Sequence, residues 1–254
     1  MLHSLTGLWI YGALLCRDLL SIPFKLFAFL ERFQGQTIAW WPSVRKEVLS
    51  MAHAVSFMTV HLGCKLPKFA FATDACGSDD LFNGGYGICV SDISKSDLAH
   101  ILEKGELPGK VMSRIGGLSG VKNPDAPLVP TVPFSLLDEE IFIADKWHAI
   151  TYGEFQFPEH ITLLEMRTVL KLLRLLSQCP DHYDSLIISL QDNMPTACSI
   201  AKGRSPVFAL NRLLRMKASI CLRSQFRTLI PWVQSAIMPA DELSRIIKNH
   251  GEFL

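Results

Sequence analysis

The sequence predicts an α/β fold, in which one mixed five-stranded sheet is flanked by helices. Stretches with the two-residue period of a β-strand alternate with stretches whose apolar residues recur every three or four positions. Their order is three strands, a helix, a strand, two helices, a strand and a final helix. Hydrophobic residues make up 49% of the 254 residues, enough to bury a substantial core. This order is typical of layered folds that combine hairpin strands with parallel strands.

The N-terminal part of the chain, before the first strand, is predicted to be helical. Apolar residues of the stretch 40–62 recur at helical spacing behind Pro42, a residue type favoured in the first turn of a helix. The apolar stretch that precedes it is interrupted by Arg17 and Lys25, so each uncharged run is shorter than the roughly 18 residues that span a bilayer. We expect one or two core helices here and no stable membrane insertion. A membrane-associated helix is the alternative.

Three strands are predicted in the middle of the chain. The stretch KFAFATDA (68–75) alternates as a strand does, and FNGGYGICVSD (82–92) follows an Asn-Gly turn signal and completes a hairpin. The two acids at 79–80 are assigned to the turn of this hairpin. WHAITYGEF (147–155) is the third strand. The stretch 93–145 between them carries the Gly and Pro residues of loops and is interpreted as an insertion.

The clearest helix of the chain is HITLLEMRTVLKLLRLLSQC (160–179). Thr162 is its candidate N-cap, and Glu165 stands three residues on, at the spacing of a capping box. The continuous apolar run SLIISLQDN (185–193) predicts a strand that is buried on both faces.

Two helices, a strand and a last helix are predicted to complete the fold. The two helices are separated at Gly203. The strand TLIPWVQS (228–235) contains Pro231, which cannot donate a hydrogen bond to a neighbouring strand, so we expect it at the edge of the sheet. The stretch MPADELSRIIKNHG then opens the terminal helix.

Four acidic residues stand where packing alone would not place them. Asp74 and Asp192 end apolar strands, Glu165 lies near the start of an apolar helix, and Asp241 opens the last helix. Carboxylates near buried elements cost free energy unless they are paired or bound to a cation. Each acid also has a local interpretation: strand-end aspartates make turns, Glu165 fits a capping box, and Asp241 fits the positive end of a helix dipole.

Basic residues are concentrated in the C-terminal part of the chain. The stretch 161–254 has 12 Lys and Arg against 7 Asp and Glu, and no acid occurs between Asn193 and Ala240. This acid-free stretch is a candidate surface for a polyanion; a solvated helical face is the alternative. Its basic residues are Lys202, Arg204, Arg212, Arg215, Lys217, Arg223 and Arg227.

The seven cysteines indicate a reducing compartment. They are scattered along the chain with no CxxC pair, as expected for reduced thiols rather than for a disulfide framework or a metal site. We therefore expect an intracellular protein, either cytoplasmic or nuclear.

In their order, these motifs resemble the ribonuclease H domain of retroelement reverse transcriptases. ATDAC with the following GGYG resembles the family's first catalytic strand and hairpin, and ITLLEMRTVLKLL resembles the helix that carries its catalytic Glu. LQDNMPTACSIAKGRS resembles its TDN strand and helix, and WVQSAIMPADELSR resembles its closing motif. The resemblance implies a ribonuclease H-like domain at 66–254 with an insertion at 93–145. Residues 1–65 resemble, more loosely, the thumb and connection region that precedes such a domain.

The resemblance implies an endonuclease that cleaves the RNA strand of RNA–DNA hybrids with two Mg²⁺ ions, for which Mn²⁺ can substitute. Asp74 and Asp192 are then direct metal ligands, Glu165 binds one ion and helps to place the attacking group, and Asp241 completes the shell of the other ion. Physical chemistry agrees, because two cations neutralise the entering and leaving oxygens of a phosphodiester and Mg²⁺ prefers carboxylates, waters and phosphates. An upstream polymerase domain is the other implied partner.

Six further residues are candidate substrate contacts. Ser78 follows Gly77, where a loop could meet the 2′-hydroxyl that distinguishes RNA from DNA, although an ordinary turn also fits. Asn193 could touch a substrate backbone or cap a turn. The basic candidates contact phosphates, which position a nucleic acid without reading its sequence. They are Lys202, Arg204, Arg212 and Arg215.

The chain departs from the family pattern near its last motif. The loop QSAIM has no His, and Met238 stands where the family has Asn. The alternative hypothesis is therefore a catalytically decayed, ribonuclease H-like remnant that binds nucleic acid or acts as a scaffold.

Overall fold

The structure is a computed structural model that describes residues 2–33, 35–60, 62–104 and 146–251. Its centre is a sheet of five strands in the order β3-β2-β1-β4-β5. Strand β2 is antiparallel to both of its neighbours, β1 and β3, whereas β4 runs parallel to β1 and β5 parallel to β4. The bounds are β1 (Phe69–Cys76), β2 (Gly85–Asp92), β3 (His148–Glu154), β4 (Leu186–Leu190) and β5 (Arg227–Leu229). The predicted mixed, ribonuclease H-like sheet is confirmed.

The described part of the chain contains eight α-helices, of which the first three pack together in a core of their own. The helical N-terminal region is confirmed, since three helices precede β1. A fourth helix occupies the start of the predicted insertion, and residues 105–145 lie outside the described residues. The helices are α1 (Leu2–Ala13), α2 (Phe24–Arg32), α3 (Pro42–Ala54), α4 (Lys95–Lys104), α5 (Ile161–Leu176), α6 (Met194–Lys202), α7 (Phe208–Ser224) and α8 (Asp241–Gly251).

The central strand β1 is buried on both of its faces. Phe71 packs in a core with the apolar residues of α5 and α7. Ala70 and Ala72 pack in a second core, which also receives α4 and the segment leading into α8. Successive side chains of a strand point to opposite faces, so the large and small residues of β1 serve two helical layers. The alternation seen in the sequence thus separates two cores and does not separate core from solvent.

The two parallel strands occur where the sequence predicts them but are shorter than predicted, and the last one ends at Leu229, before Pro231. Ile187, Ile188 and Leu190 of β4 are buried, which confirms a strand covered on both sides. The last strand, β5, pairs only with β4 and forms the edge of the sheet. Pro231 follows it and accepts a hydrogen bond from the Gln191 amide at 3.1 Å, a contact that needs only the proline carbonyl.

The N-terminal cap of α5 differs from the prediction. The helix begins at Ile161, and the N-cap is His160, whose Nδ1 accepts from the Thr162 amide at 3.3 Å. The assignment of Thr162 as the cap is therefore wrong. Glu165 is buried inside the first turns of the helix and does not reach back to cap it. Because the His160 side chain caps the helix, Glu165 is not needed as a cap and is available for another contact.

The N-terminal helices pack against α6 and α7. Lys217 of α7 is fully buried and pairs with Asp18 at 2.6 Å. Arg215 pairs with Glu47 of α3 at 2.7 Å. Gly203 has a positive φ of 70°, and a Cβ there would lie 1.9 Å from the carbonyl oxygen of Arg17 in the N-terminal region. Among the described residues, no helix is both long enough and apolar enough to cross a membrane.

Candidate metal centre

The register of the sheet places two of the predicted acids side by side. In the parallel ladder between β1 and β4, Ala72 is paired with Leu190, and the ladder ends there. Continuing both chains by two residues sets Asp74 next to Asp192. The carboxyl ends of parallel strands lie at the same edge of a sheet, which is why both acids arrive at one place.

Glu165 reaches the same place from α5 and is held by a residue of the chain after β4. The side chain of Gln191 is fully buried, and its Nε2 donates to Glu165 Oε2 at 2.7 Å. The Oε1 of Gln191 lies 3.4 Å from the Thr73 hydroxyl, at the long end of a hydrogen bond. Gln191 therefore fixes the carboxylate of Glu165 relative to β1.

These three acids form one group that could hold a metal ion. Each of Asp74, Glu165 and Asp192 offers one carboxylate oxygen, and the three oxygens lie within 4.8 Å of one another. Asp74 is 2% exposed and Glu165 3% exposed. Asp74 Oδ2 is buried without a hydrogen-bond partner among the described residues. A buried acceptor with no donor is costly, and a bound cation is a natural partner for it.

The electrostatics of the group show the cost of crowding carboxylates. The pKa of Asp74 is raised to about 7, chiefly by burial and also by the charges of Asp192 and Asp241, while the Ser244 side chain and Arg245 oppose the rise. The pKa of Glu165 is raised to about 9, again chiefly by burial and also by the charges of Asp74 and Asp192. A cation inside the group would reverse these shifts, because it favours the ionised form of each acid.

The loop after β5 orients Asp192. Ser235 Oγ donates to Asp192 Oδ2 at 2.6 Å, and Trp232 Nε1 donates to the Asp192 carbonyl oxygen at 2.7 Å. One carboxylate oxygen and the backbone are thus fixed from a single loop. Asp192 is half-buried, so the group opens to solvent on this side.

The fourth predicted acid, Asp241, lies beside the group and is not one of its three members. It opens α8, as predicted, and its Oδ1 accepts from Nε and Nη2 of Arg245 at 3.1 and 2.6 Å. The glycines of β2 make this position possible. A Cβ at Gly87 would lie 2.7 Å from the Ser244 nitrogen, and one at Gly85 would lie 2.0 Å from the Ser244 carbonyl oxygen.

The predicted substrate contacts have mixed positions. Asn193 caps α6, accepting from the Thr196 amide at 3.0 Å, which is the capping alternative. Ser78 is half-buried in the connection between β1 and β2. Three of the basic candidates are exposed on α6, on α7 or between them: Lys202, Arg204 and Arg212.

Two of the predicted basic residues, Arg215 and Lys217, make contacts inside the protein. Arg215 donates to the carbonyl oxygens of Ser21 and Ile22 at 2.9 and 2.5 Å, in addition to its pair with Glu47, so a phosphate would have to displace these contacts. Lys217 is buried, and its inclusion in an exposed basic surface is wrong. No local pattern indicates this burial, because the partner of Lys217, Asp18, lies 199 residues away in the chain.

Several contributors to the site were not identified from the sequence, among them Ser235, which gave no signal of its role. Gln191 had a signal, since it is a large polar residue inside an apolar run that leads to an acid. Gly87 was interpreted only as part of a hairpin, although its spacing from Gly85 leaves one face of β2 open to a helix. Arg245 stands four residues after Asp241, the spacing of an ion pair on a helix.

A scan of the sequence against models of known protein families finds no match, and a search of curated proteins finds no relative.

Proposed function

We propose that this protein is a metal-dependent endonuclease that cleaves the RNA strand of RNA–DNA hybrids. The observation that carries the proposal is the convergence of Asp74, Glu165 and Asp192, with ligand oxygens within 4.8 Å of one another. A buried oxygen of Asp74 also has no hydrogen-bond partner within the part of the chain that the structure describes. A purely structural domain gains nothing from three carboxylates crowded together, where burial and neighbouring charge raise the pKa values of Asp74 and Glu165. The sheet order and the motif resemblance support the choice among metal-dependent reactions.

The donor set fits a hard divalent cation. It consists of carboxylate oxygens only, the ligands that Mg²⁺ and Mn²⁺ prefer over the nitrogen and sulfur ligands of zinc. When bound, such ions neutralise charge on the attacking and leaving oxygens of a phosphodiester. Asp74, Glu165 and Asp192 are the residues that would hold the first of them, and Asp241 is the nearest candidate for a share in a second.

The side chains around the acids have defined tasks in this proposal. Gln191 holds one oxygen of Glu165, and Ser235 holds one oxygen of Asp192, so neither carboxylate needs to reorganise when the substrate arrives. The burial of Asp74 and Glu165 keeps bulk water away from one side of the reacting phosphate. The half-buried Asp192 marks the side on which nucleic acid enters.

The substrate class follows from the resemblance and from the exposed basic residues. Lys202, Arg204 and Arg212 offer contacts to phosphates, which hold either kind of strand. Discrimination in favour of RNA needs a contact to the 2′-hydroxyl, and Ser78 in the β1–β2 connection is the candidate for it.

The test is a cleavage assay with four 5′-labelled substrates of one sequence: an RNA–DNA hybrid, duplex RNA, duplex DNA and single-stranded RNA. Each is incubated with the full chain in Mg²⁺, in Mn²⁺ and in EDTA. The proposal predicts cleavage of RNA in the hybrid only, with either metal and not in EDTA. Binding of the hybrid without cleavage in either metal would establish the alternative, a catalytically decayed binding protein. Equal cleavage of duplex DNA would contradict the proposed specificity.

A further inference from the structure

Arg245 forms an ion pair with Asp241, the fourth predicted acid. Both Nε and Nη2 of Arg245 donate to the same oxygen, Oδ1. The pair borders solvent, with Arg245 54% and Asp241 31% exposed. Exposed ion pairs at this helical spacing add little to stability, so stability alone is a weak reason for this arrangement.

The packing of α8 against β2 places this ion pair near the buried acids. Gly87 is paired with Asp74 across β1 and β2, and the first turn of α8 lies directly against Gly87. The positive charge of Arg245 lowers the pKa of Asp74, whereas the negative charge of Asp241 raises it. Arg245 therefore sits close enough to act electrostatically on the candidate metal centre as well as on Asp241.

We propose that Arg245 competes with a divalent cation for Asp241 and so limits how many ions the protein holds before nucleic acid binds. The inference rests on the proposed function, because it takes Asp74, Glu165 and Asp192 as a metal centre. Those three carboxylates bind one ion without disturbing Arg245. Arg245 occupies Oδ1 of Asp241, so a further ion on this carboxylate binds beside the positive guanidinium or displaces it.

A nucleic acid offers Arg245 an alternative partner. A guanidinium binds two phosphate oxygens through parallel hydrogen bonds. This bidentate contact is at least as strong as the present contact of Arg245 with one carboxylate oxygen. Transfer of Arg245 from Asp241 to a phosphate would free the carboxylate at the moment when the substrate arrives. Full metal occupancy is thereby coupled to the presence of substrate.

The size of the competition follows from Coulomb's law. Two groups bound to one carboxylate lie roughly 5–6 Å apart, and repulsion between a single and a double positive charge at that separation weakens binding on the order of tenfold even at the dielectric constant of water. Removing the charge of Arg245 should therefore tighten a second ion about tenfold.

The experiment is a titration of the full chain with Mn²⁺ in the absence of nucleic acid, with free Mn²⁺ measured by electron paramagnetic resonance. It compares the native chain with Arg245→Gln, which removes the charge, and Arg245→Lys, which keeps it. Arg223→Gln is the matched control. Arg223 is exposed near the end of α7. This end of the helix contacts Asp184, which precedes β4, whereas Asp192 follows β4. Arg245→Ala, with melting curves for every variant, guards against a folding defect in the glutamine variant.

Over the same range of Mn²⁺ concentration, the proposal predicts one bound ion in the native chain, in Arg245→Lys and in Arg223→Gln. It predicts a second bound ion in Arg245→Gln and in Arg245→Ala. Adding Asp241→Asn to Arg245→Gln should remove that second ion. If the native chain binds one ion that Asp74→Asn abolishes, and Arg245→Gln binds no more tightly, the competition is refuted and the metal centre stands. If no variant binds Mn²⁺, the proposed function fails and the competition fails with it.

Discussion

Asp74 and Gly87 face each other across the antiparallel pair of β1 and β2, and the missing side chain of Gly87 is what lets α8 lie beside the buried acid. A Cβ at Gly87 would lie 2.6 Å from the Cβ of Leu243 and 2.8 Å from the Ala240 carbonyl oxygen. The acids on β1 and at the start of α8 are thus brought together by a glycine on the strand between them.

Substitution of this glycine should disturb both the packing and the site. Gly87→Ala is expected to lower the free energy of unfolding by roughly 1–3 kcal/mol, because helix backbone must shift to make room. It should also weaken the stabilisation that Mn²⁺ gives, since Gly87 is paired with Asp74 and a shift at Gly87 disturbs this ligand. Urea unfolding with and without Mn²⁺ measures both effects. Gly77→Ala is the control, because nothing lies within 4 Å of a Cβ there; an equal loss in both variants would contradict this account.

The raised pKa values predict how stability depends on pH without a divalent cation. In the unfolded chain both carboxyls titrate near pH 4. In the folded chain the pKa of Asp74 is about 7 and that of Glu165 about 9. Above the pKa values of the unfolded chain and below those of the folded chain, the folded state binds more protons than the unfolded state. The free energy of unfolding should therefore fall as pH rises from about 5 to 9.

Thermal melts in EDTA across this range measure that slope, and Asp74→Asn is the comparison because it removes one of the two titrations. Its stability should fall less steeply than that of the native chain. Saturating Mg²⁺ should offset the loss at high pH, since metal binding requires the ionised acids. Identical slopes for the native chain and Asp74→Asn would show that Asp74 titrates normally.

The buried glutamine beside the acids should matter for both folding and catalysis. Gln191→Met removes the donor to Glu165 and leaves buried oxygens unpaired, at an expected cost of roughly 1–3 kcal/mol in the free energy of unfolding. Because Glu165 is then free to rotate, kcat should fall more than KM rises. Gln178→Met, at an exposed position after α5, should leave both quantities unchanged. A change in stability with an unchanged kcat would reduce Gln191 to a structural role.

The ion pair between Lys217 and Asp18 should stabilise the contact between the N-terminal helices and α7. Lys217→Met is expected to cost roughly 2–4 kcal/mol, below the figure for a fully buried pair because Asp18 stays 18% exposed. The double variant with Asp18→Asn should recover part of the loss, since no unpaired charge remains. Lys202→Met, which alters an exposed lysine, should be nearly neutral. Urea unfolding of the four proteins tests this, and a neutral Lys217→Met would refute it.

The regular elements could be predicted because their patterns are local. The alternation at 68–75 and the apolar run at 185–193 each identify a strand without knowledge of the rest of the chain. The prediction that Asp74 ends its strand is wrong, because β1 continues to Cys76, and Asp192 lies just beyond the last residue of β4, Leu190. The proximity of the two acids follows once β1 and β4 are taken to be parallel neighbours.

What the sequence could not reveal depends on contacts between distant segments. The use of Lys217 and Arg215 inside the protein is decided by partners in the N-terminal helices, which no local pattern connects to α7. Glu165 fits a capping box equally well by spacing, and only the third dimension shows that Gln191 holds it at the acids instead. The pairing of Asp241 with Arg245, which has consequences for metal binding, likewise depends on where α8 meets β2.

The most direct test of the central claim compares two aspartates that lie five residues apart. Asp74 is buried in the acidic group, whereas Asp79 is exposed in the hairpin turn, where it accepts from the Leu81 and Phe82 amides at 3.1 and 3.0 Å. The measurement is the single-turnover rate of RNA cleavage in a hybrid by Asp74→Asn and by Asp79→Asn, each beside the native chain in Mg²⁺. We predict a loss on the order of 10²–10³-fold for Asp74→Asn and a nearly native rate for Asp79→Asn. Equal rates for the native chain and Asp74→Asn would contradict the assignment of catalysis to this group of acids.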